Sequence, residues 1–351
     1  MKLKFLTVLS LCFICFLTVG ASAKNKCGDN AYWEINNTTL TISGSGALSD
    51  YSKSAPAPWA DNAAKIKTLI IGEGITSIGS WNFYNFTELS DVTLPSTLTK
   101  IGERAFYDCS AIEYISIPQN VTTISSGAFN SCISLKRVEL PKALEYIGAS
   151  AFMNLPKLTA ITIPKNTNTI LDYAFMGNSN LSAMYFEGSV PENTGKLITE
   201  GANDDFVVFC PRELTTEWSN SKIFPIDILY IYDPSQHIRV YVNNSEVVFD
   251  QFPIISKSRT LVPIRAIFEA MGAVVNWDGT TKTVSAERNG VSITIQTGAN
   301  VMHKGNEQIP VDVPAQIIND RVLVPVRVIG EAFGADVQWN NEKRSVDIFI
   351  N

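Results

Sequence analysis

A pattern of apolar positions recurs every 23 residues through the first half of the chain. The copies share one spacing, and they begin at Ile66, Leu89, Ile112, Leu135, Leu158 and, in degraded form, at Leu181. A single copy cannot bury its own apolar edge, so each copy must pack against its neighbours. Self-similarity at a fixed period of this length predicts a solenoid.

Each repeat opens with two apolar residues spaced two apart, which is the period of a short strand with one buried face. These pairs are Val92 and Leu94, Ile115 and Ile117, Val138 and Leu140, and Ile161 and Ile163. The proline that follows each pair has no backbone donor and ends the strand. Later positions such as Ile101, Ala105 and Phe106 predict a second extended segment and then a turn of helix, with the phenylalanine facing inward.

The segments that flank the repeats predict two caps. Alternation over residues 32–43 around Asn36-Asn37-Thr38 predicts a hairpin that covers the first repeat. After Leu181 the period fails, and residues 206–211 predict one final strand. We therefore divide the chain into a hairpin cap (24–65), a solenoid with a C-terminal cap (66–232), a polar linker (233–237) and a second domain (238–351).

The outward positions of the first strand of each repeat, here called the rung strand, form a candidate binding face. Parallel rung strands place their outward side chains side by side, and such faces of solenoids commonly bind ligands. The candidate residues are Asp91, Thr93, Tyr114, Ser116, Arg137, Glu139, Thr162 and Tyr185. The simpler interpretation is that each of these is an ordinary solvated strand position.

A second repeat follows from Ile238, and its landmarks are displaced by 62 residues. The matching pairs are Asp250 and Asp312, Arg259 and Arg321, Pro263 and Pro325, Gly272 and Gly334, and Trp277 and Trp339. Each copy predicts strands, a short helix that has proline at its first position and glycine just after its end, and a hairpin. Asp278-Gly279 and Asn289-Gly290 are predicted hairpin turns.

Arginine and glutamate stand four residues apart on each predicted helix, as Arg265 with Glu269 and as Arg327 with Glu331. This spacing allows an ion pair along the helix. Two interpretations remain open: the set orders the helix against the sheet, or it forms a site for an anionic ligand. The fold class is thus β-rich and α+β, with a solenoid of 23-residue repeats followed by a small two-repeat domain.

The N-terminus predicts export from the cytoplasm. A basic start, an apolar segment over residues 5–19 and Ala21-Ser22-Ala23 are typical of a cleaved signal peptide over residues 1–23. Its loss takes the formal net charge from −6 to −8, since it carries Lys2 and Lys4. A mildly acidic chain without basic runs argues against nucleic acid as a partner, and no later stretch is long enough for a membrane span.

Four cysteines remain after the signal peptide: Cys27, Cys109, Cys132 and Cys210. Cys109 and Cys132 occupy the same position in successive repeats, which a strand spacing of about 4.8 Å would bring within disulfide reach. The alternative is that both are small buried thiols.

The sequence contains few of the residue combinations that enzymes use for catalysis. The only histidines, His237 and His303, lie in separate segments outside the solenoid repeats, so no Ser/His/Asp or Cys/His set is available. A hydrolase that uses carboxylates stays open as a lesser alternative, although Asp91 and Glu139 are not paired on one rung or on adjacent rungs. We expect no enzyme activity, no metal and no cofactor.

The repeat pattern L-x-x-L-x-L-P-x-x-L-x-x-I-G-x-x-A-F-x-x-C resembles BspA-like bacterial surface leucine-rich repeats over residues 27–225. Residues 238–350 resemble the N-terminal stalk domain of copper amine oxidases, whose copper and quinone belong to a different, catalytic domain. Together the resemblances imply a secreted or cell-surface binding or adhesion protein. The expected partner is an extracellular protein or glycan, with the cell wall as a further candidate. The alternative is a purely structural component of the wall or surface layer.

Overall fold

The structure is a computed structural model that describes residues 25–350. The predicted signal peptide lies outside the described residues. Among these residues, no helix is both long enough and apolar enough to cross a lipid bilayer.

The chain begins with the predicted hairpin. Its strands are β1 (Asn25–Lys26), β2 (Gly28–Asn36) and β3 (Thr39–Leu48). β2 and β3 pair antiparallel around Asn37, whose φ is 54°. β3 then serves as the first layer of the solenoid, because it pairs in parallel with strands of the following repeat. The hairpin prediction is confirmed.

Two columns of strands build the solenoid. The rung strands are β4 (Thr68–Ile71), β6 (Asp91–Thr93), β8 (Tyr114–Ser116), β10 (Arg137–Glu139), β12 (Ala160–Ile163), β14 (Ala183–Phe186), β16 (Val207–Pro211) and β17 (Leu229–Tyr232). The second column contains β5 (Ile75–Ile78), β7 (Lys100–Ile101), β9 (Thr123–Ile124), β11 (Tyr146–Ile147), β13 (Thr169–Ile170) and β15 (Asn193–Thr194). The second column forms one continuous parallel sheet from β3 to β15. The rung strands form shorter parallel sheets, in which Ile115 lies beside Val138 and Ile161 lies beside Met184.

The inward phenylalanines form a continuous stack through the solenoid core. Phe83, Phe106, Phe129, Phe152 and Phe175 are fully buried, and successive ring centroids lie 5.2, 5.3, 5.5 and 5.5 Å apart. Trp59 covers the first ring at 5.8 Å. The prediction that these rings face inward is confirmed.

The predicted turn of helix beside each phenylalanine is wrong. The segment is a series of turns, in which the backbone N–H of Phe106 donates to Ala128 O at 2.8 Å and that of Phe129 donates to Ala151 O at 2.8 Å. Positive φ values at residues such as Arg104 and Ser150 turn these groups toward the next repeat. Alternate N–H groups of the segment therefore donate to the next repeat, whereas those between them, such as the N–H groups of Ala105 and Tyr107, form turns within the repeat.

Glycine at the bend after the second strand allows neighbouring repeats to approach closely. A Cβ on Gly102 would lie 2.6 Å from the carbonyl carbon of Gly79, and one on Gly148 would lie 2.4 Å from Ser126 N. Neither glycine has positive φ. Close approach of backbones is the reason for the glycines.

All four cysteines are free, buried thiols. Cys109 Sγ donates to Phe83 O and Cys132 Sγ donates to Phe106 O, each at 3.1 Å. Asn178 takes the same position two repeats later, and its Nδ2 donates to Phe152 O at 3.1 Å. Burial raises the pKa of Cys132 to about 12. Both thiols thus donate to buried carbonyls and stay free, which fits the buried-thiol alternative.

The second domain is built from strands around two short helices, and a helix α1 (Thr215–Ser221) precedes it at the end of the solenoid. Its elements are β18 (Arg239–Val242), β19 (Ser245–Glu246), β20 (Ile254–Ser256), β21 (Arg259–Pro263), α2 (Ile264–Ala270), β22 (Val274–Asp278), β23 (Thr283–Arg288), β24 (Val291–Gln296), β25 (Val301–Lys304), β26 (Glu307–Pro310), β27 (Gln316–Ile318), β28 (Arg321–Pro325), α3 (Val326–Ala332), β29 (Asp336–Asn340) and β30 (Ser345–Phe349). It has its own apolar core, which is separate from that of the solenoid.

The two copies of the second domain are related by a local two-fold axis. β21 and β28 pair antiparallel with Leu261 opposite Pro325, Val262 opposite Val324, and Pro263 opposite Leu323. Leu261 lies opposite the counterpart of Pro263, and Pro263 lies opposite the counterpart of Leu261. Val262 lies opposite its own counterpart, so the axis passes between Val262 and Val324. The two-repeat α+β fold is confirmed.

Details of the helix and hairpin ends differ from the prediction. Pro263 and Pro325 end strands and precede the first helical residue, so neither stands at the first helical position. Gly272 does follow the end of α2 with φ 81°, and Asn289-Gly290 forms a two-residue turn with positive φ at both residues. Between β22 and β23 the connection spans residues 279–282, which is longer than the predicted Asp278-Gly279 turn.

Candidate binding surface

The rung strands present their outward residues in two different environments. Asp91 and Thr93 on β6 and Tyr114 and Ser116 on β8 are exposed. Each of these three-residue strands places its middle residue toward the core and the two others outward, as the period of two requires. From β10 to β16 the outward residues are largely covered, because the second domain packs against this part of the solenoid.

Arg137 is buried between the two domains, contrary to the expectation of a solvent-facing site. It is 7% exposed, and its guanidinium pairs with Glu139 at 2.5 Å and with Asp347 of β30. The guanidinium also lies 3.5 Å from the ring centroid of Tyr241 on β18. Arg137 therefore joins the domains and is not available to an external ligand.

Glu139 is the acceptor at the centre of a polar network at the edge of this interface. Tyr114 Oη donates to it at 2.8 Å, Ser116 Oγ donates at 3.0 Å, and Lys343 of the second domain pairs with it. Burial alone would raise the pKa of Glu139, but the hydrogen bond from Lys343 and the charge of Arg137 outweigh it and lower the pKa. The carboxylate is thus fixed in its ionised form.

Tyr185 and Thr162 are covered as well. Tyr185 is 1% exposed, with its ring centroid 4.6 Å from Phe209 and 4.4 Å from His237. Thr162 Oγ1 accepts a hydrogen bond of 3.4 Å from Arg239. We call Tyr185, Phe209, Tyr232, His237 and Phe252 the interdomain aromatic cluster. The expectation that Tyr185 recognises a ligand is corrected by this burial.

The sequence analysis did not predict that the second domain packs on the rung strands, although the residue types at their outward positions indicate it. Apart from Ile70, the outward rung residues are polar up to Glu139. Apart from Thr162, the outward residues on β12 to β16 are small, aliphatic or aromatic, namely Ala160, Ala183, Tyr185, Val207 and Phe209. Large apolar side chains at outward strand positions indicate a covered surface.

The remaining accessible part, which we call the open rung face, consists of Thr68, Ile70, Asp91, Thr93, Tyr114 and Ser116. β3, β4 and β6 hold it in register, with Thr41 opposite Ile70 and Ile70 opposite Thr93. It offers hydroxyls, one carboxylate, a phenol ring and an exposed isoleucine. This combination can form hydrogen bonds and apolar contacts with a macromolecule.

The charged residues of the two helices of the second domain lie on its surface. Arg265, Glu269, Arg327 and Glu331 are exposed, and Arg327 Nε lies 4.0 Å from Glu331 Oε1. Their exposure argues against the interpretation that they order the helix against the sheet. Reciprocal pairs connect the copies, because Arg259 contacts Asp312 and Arg321 contacts Asp250, each at 2.5 Å.

A metal centre is not formed by the part of the chain that the structure describes, since no group of three or more His, Cys, Asp or Glu side chains is placed to hold one. His237 lies in the interdomain aromatic cluster, whereas His303 is exposed on β25. The absence of copper stays a prediction.

Comparison with known proteins identifies both parts of the chain. A model of the BspA type leucine rich repeat region matches residues 61–182 in 6 copies, and a model of the copper amine oxidase N-terminal domain matches residues 241–348. No curated protein matches the chain.

Several solved structures are similar to it. A leucine rich cell surface protein from Faecalibacterium prausnitzii A2-165 is 23% identical over 48% of this chain and 56% of its own, with a TM-score of 0.33. A leucine-rich repeat protein from Bacteroides ovatus is 19% identical over 61% of this chain and 70% of its own, with a TM-score of 0.35. The leucine rich repeat protein of T. pallidum is 24% identical over 49% of this chain and 86% of its own, with a TM-score of 0.36. The chain thus spans little more than half the length of the Faecalibacterium protein. By its two family matches, the chain consists of a BspA type leucine-rich repeat region followed by a copper amine oxidase N-terminal domain.

Proposed function

We propose that the protein is a non-catalytic binding or adhesion protein of the bacterial cell surface, or a secreted one, that recognises an extracellular protein or glycan through the open rung face. BspA type repeats are typical of bacterial surface proteins, which supports a binding role at this location. Neither matched family supplies catalytic machinery, and the amine oxidase N-terminal domain is not the domain that holds copper.

The open rung face is the observation that carries this proposal. Thr68 and Ile70 stand in register with Asp91 and Thr93 on paired strands, and Tyr114 and Ser116 follow on the next rung strand. A ligand would therefore meet a surface that is already ordered. The interface at Arg137 and Glu139 ends this face and holds the second domain beside it. The second domain thereby limits the size of the contact and fixes the direction from which a partner approaches.

A pair of matched threonine substitutions tests the site. Thr93→Arg places a large cation in the open rung face, while Thr76→Arg makes the same change at an exposed threonine of the second strand column. The mature protein is applied to an array of immobilised extracellular matrix proteins and wall glycans. We expect Thr93→Arg to reduce binding at least about tenfold and Thr76→Arg to bind as the unchanged protein does. Equal behaviour of the two variants would reject the site, and a protein that binds nothing on the array would favour a purely structural role.

A further inference from the structure

Two grooves with corresponding residues lie on the second domain, and each is lined by residues from both copies. The first groove contains Trp277 and Arg265 from the first copy together with Ile317 and Arg321 from the second. The second groove contains the counterparts displaced by 62 residues, which are Trp339, Arg327, Ile255 and Arg259. Their volumes are ≈430 and ≈1050 Å³. Grooves of this size are typical of sites for small organic groups.

Each groove exposes a tryptophan that the fold does not need for its core. Trp277 is 40% exposed and Trp339 is 37% exposed. Both stand on strands whose paired valines, Val284 and Val346, also line the grooves. Burying an indole would be favourable by about 25 cal/mol per Å² of apolar area. A tryptophan left open at the same place in both copies indicates a surface that a ligand covers.

The charges around the grooves are balanced. In the first groove, Arg321 is paired with Asp250 at 2.5 Å, and Asp320 lines the groove together with Arg265. In the second, Arg259 is paired with Asp312 at 2.5 Å, and Arg327 lies 4.0 Å from Glu331. Balanced arginines and carboxylates supply hydrogen-bond donors and acceptors without a net charge, which suits a neutral ligand rich in hydroxyl or amide groups.

We infer that the two grooves bind a neutral, linear polysaccharide of N-acetylated hexosamines. The C–H face of a pyranose ring packs on the indole, the exposed isoleucine contacts the acetamido methyl group, and the arginine and carboxylate side chains hydrogen-bond the hydroxyl and acetamido oxygens. Aromatic side chains that combine apolar area with little loss of conformational freedom are well suited to such contacts.

The two-fold axis makes the domain bivalent. Each of the two grooves binds one segment of a sugar chain. Binding to an insoluble polymer should then exceed binding to a short oligosaccharide, since the second groove engages at high effective concentration. This site is independent of the open rung face.

Retention on chitin beads, a polymer of N-acetylglucosamine, tests the inference with the whole mature protein. We expect Trp277→Ala and Trp339→Ala each to weaken the apparent affinity about tenfold and the double variant about a hundredfold. Val274→Ala is the matched control, because Val274 is 68% exposed on β22 and does not line either groove. Trp277→Phe with Trp339→Phe should retain part of the binding, and thermal unfolding shows whether each variant is folded.

Three results would overturn the inference: a protein that is not retained on chitin, retention on cellulose equal to that on chitin, or a folded double alanine variant that binds as Val274→Ala does. Thr93→Arg should bind chitin normally, so failure at the grooves and failure at the open rung face are separate outcomes.

Discussion

At the scale of single residues, His237 shows how the interdomain aromatic cluster controls a titratable group. Its ring centroid lies 4.4 Å from Tyr185, 5.4 Å from Tyr232 and 5.2 Å from Phe252. Burial, together with the charge of Arg239, lowers the pKa of His237 to about 3. The imidazole is therefore neutral in the folded protein over the physiological range.

Stability should depend on pH through this residue. Unfolded His237 takes up a proton as the pH falls through 6.5, whereas the folded protein does so only at about pH 3. The contribution of neutral His237 to the free energy of unfolding is thus fully present above pH 6.5, and it falls by about 1.4 kcal/mol per pH unit below that value. When the pH is lowered from 7 to 5, the free energy of unfolding of the unchanged protein should fall by about 2 kcal/mol more than that of His237→Phe. Calorimetric unfolding of both proteins measures this difference.

Glu246, whose pKa is raised by burial, titrates in both proteins and so cancels from this comparison. The same pH dependence in the two proteins would show that His237 is accessible to protons without unfolding or separation of the domains.

At the scale of elements, the phenylalanine stack makes neighbouring repeats depend on one another. Phe129 lies between Phe106 at 5.3 Å and Phe152 at 5.5 Å, with interplanar angles of 2° and 4°. The ring of each inner repeat thus contacts one ring in the repeat before it and one in the repeat after it. Such contacts make the stability of a solenoid depend on interactions between neighbouring repeats.

A double-mutant cycle measures this coupling. Phe106→Leu and Phe129→Leu should each destabilise the protein by about 1–3 kcal/mol in urea unfolding. Their combination should deviate from additivity by about 0.5–1.5 kcal/mol, because the two rings are in contact. Phe83→Leu with Phe152→Leu is the control, since these rings are not neighbours in the stack and their effects should add. Additivity in both pairs would contradict the coupling.

The solenoid could be predicted from sequence because its determinants are local and periodic. Val92 and Leu94 specify a buried strand face, and the spacing to Phe106 specifies the stack, in every copy alike. The turns beside the phenylalanines were misassigned as helix, because three- and four-residue spacing does not distinguish a helix from turns that bond to the next repeat. The covered state of Arg137 and Tyr185 depends on the distant residues Asp347 and His237, which no local pattern connects to them.

At the scale of the whole molecule, a polar contact and an aromatic contact together fix the two domains. Arg137 joins β10 to β30 through Asp347, while the interdomain aromatic cluster packs beside the linker. Thr159 Oγ1 adds a hydrogen bond of 2.8 Å to Glu246 O. The direction of the open rung face relative to the grooves of the second domain is therefore set by the fold, and a short linker alone would not set it.

Removal of Arg137 should separate the domains without unfolding either one. Arg137→Ala leaves the partly buried carboxylate of Asp347 without its cationic partner, and breaking a fully buried pair from one side costs about 3–5 kcal/mol, which is the upper bound here. We expect one calorimetric transition to become two, and small-angle X-ray scattering to report a larger maximum dimension. Arg104→Ala removes an exposed arginine of the solenoid that contacts Trp81, and it serves as the control. If Arg137→Ala keeps the dimensions and the single transition of the unchanged protein, then the aromatic cluster and the remaining polar contacts, such as Lys343 with Glu139, suffice to hold the domains together.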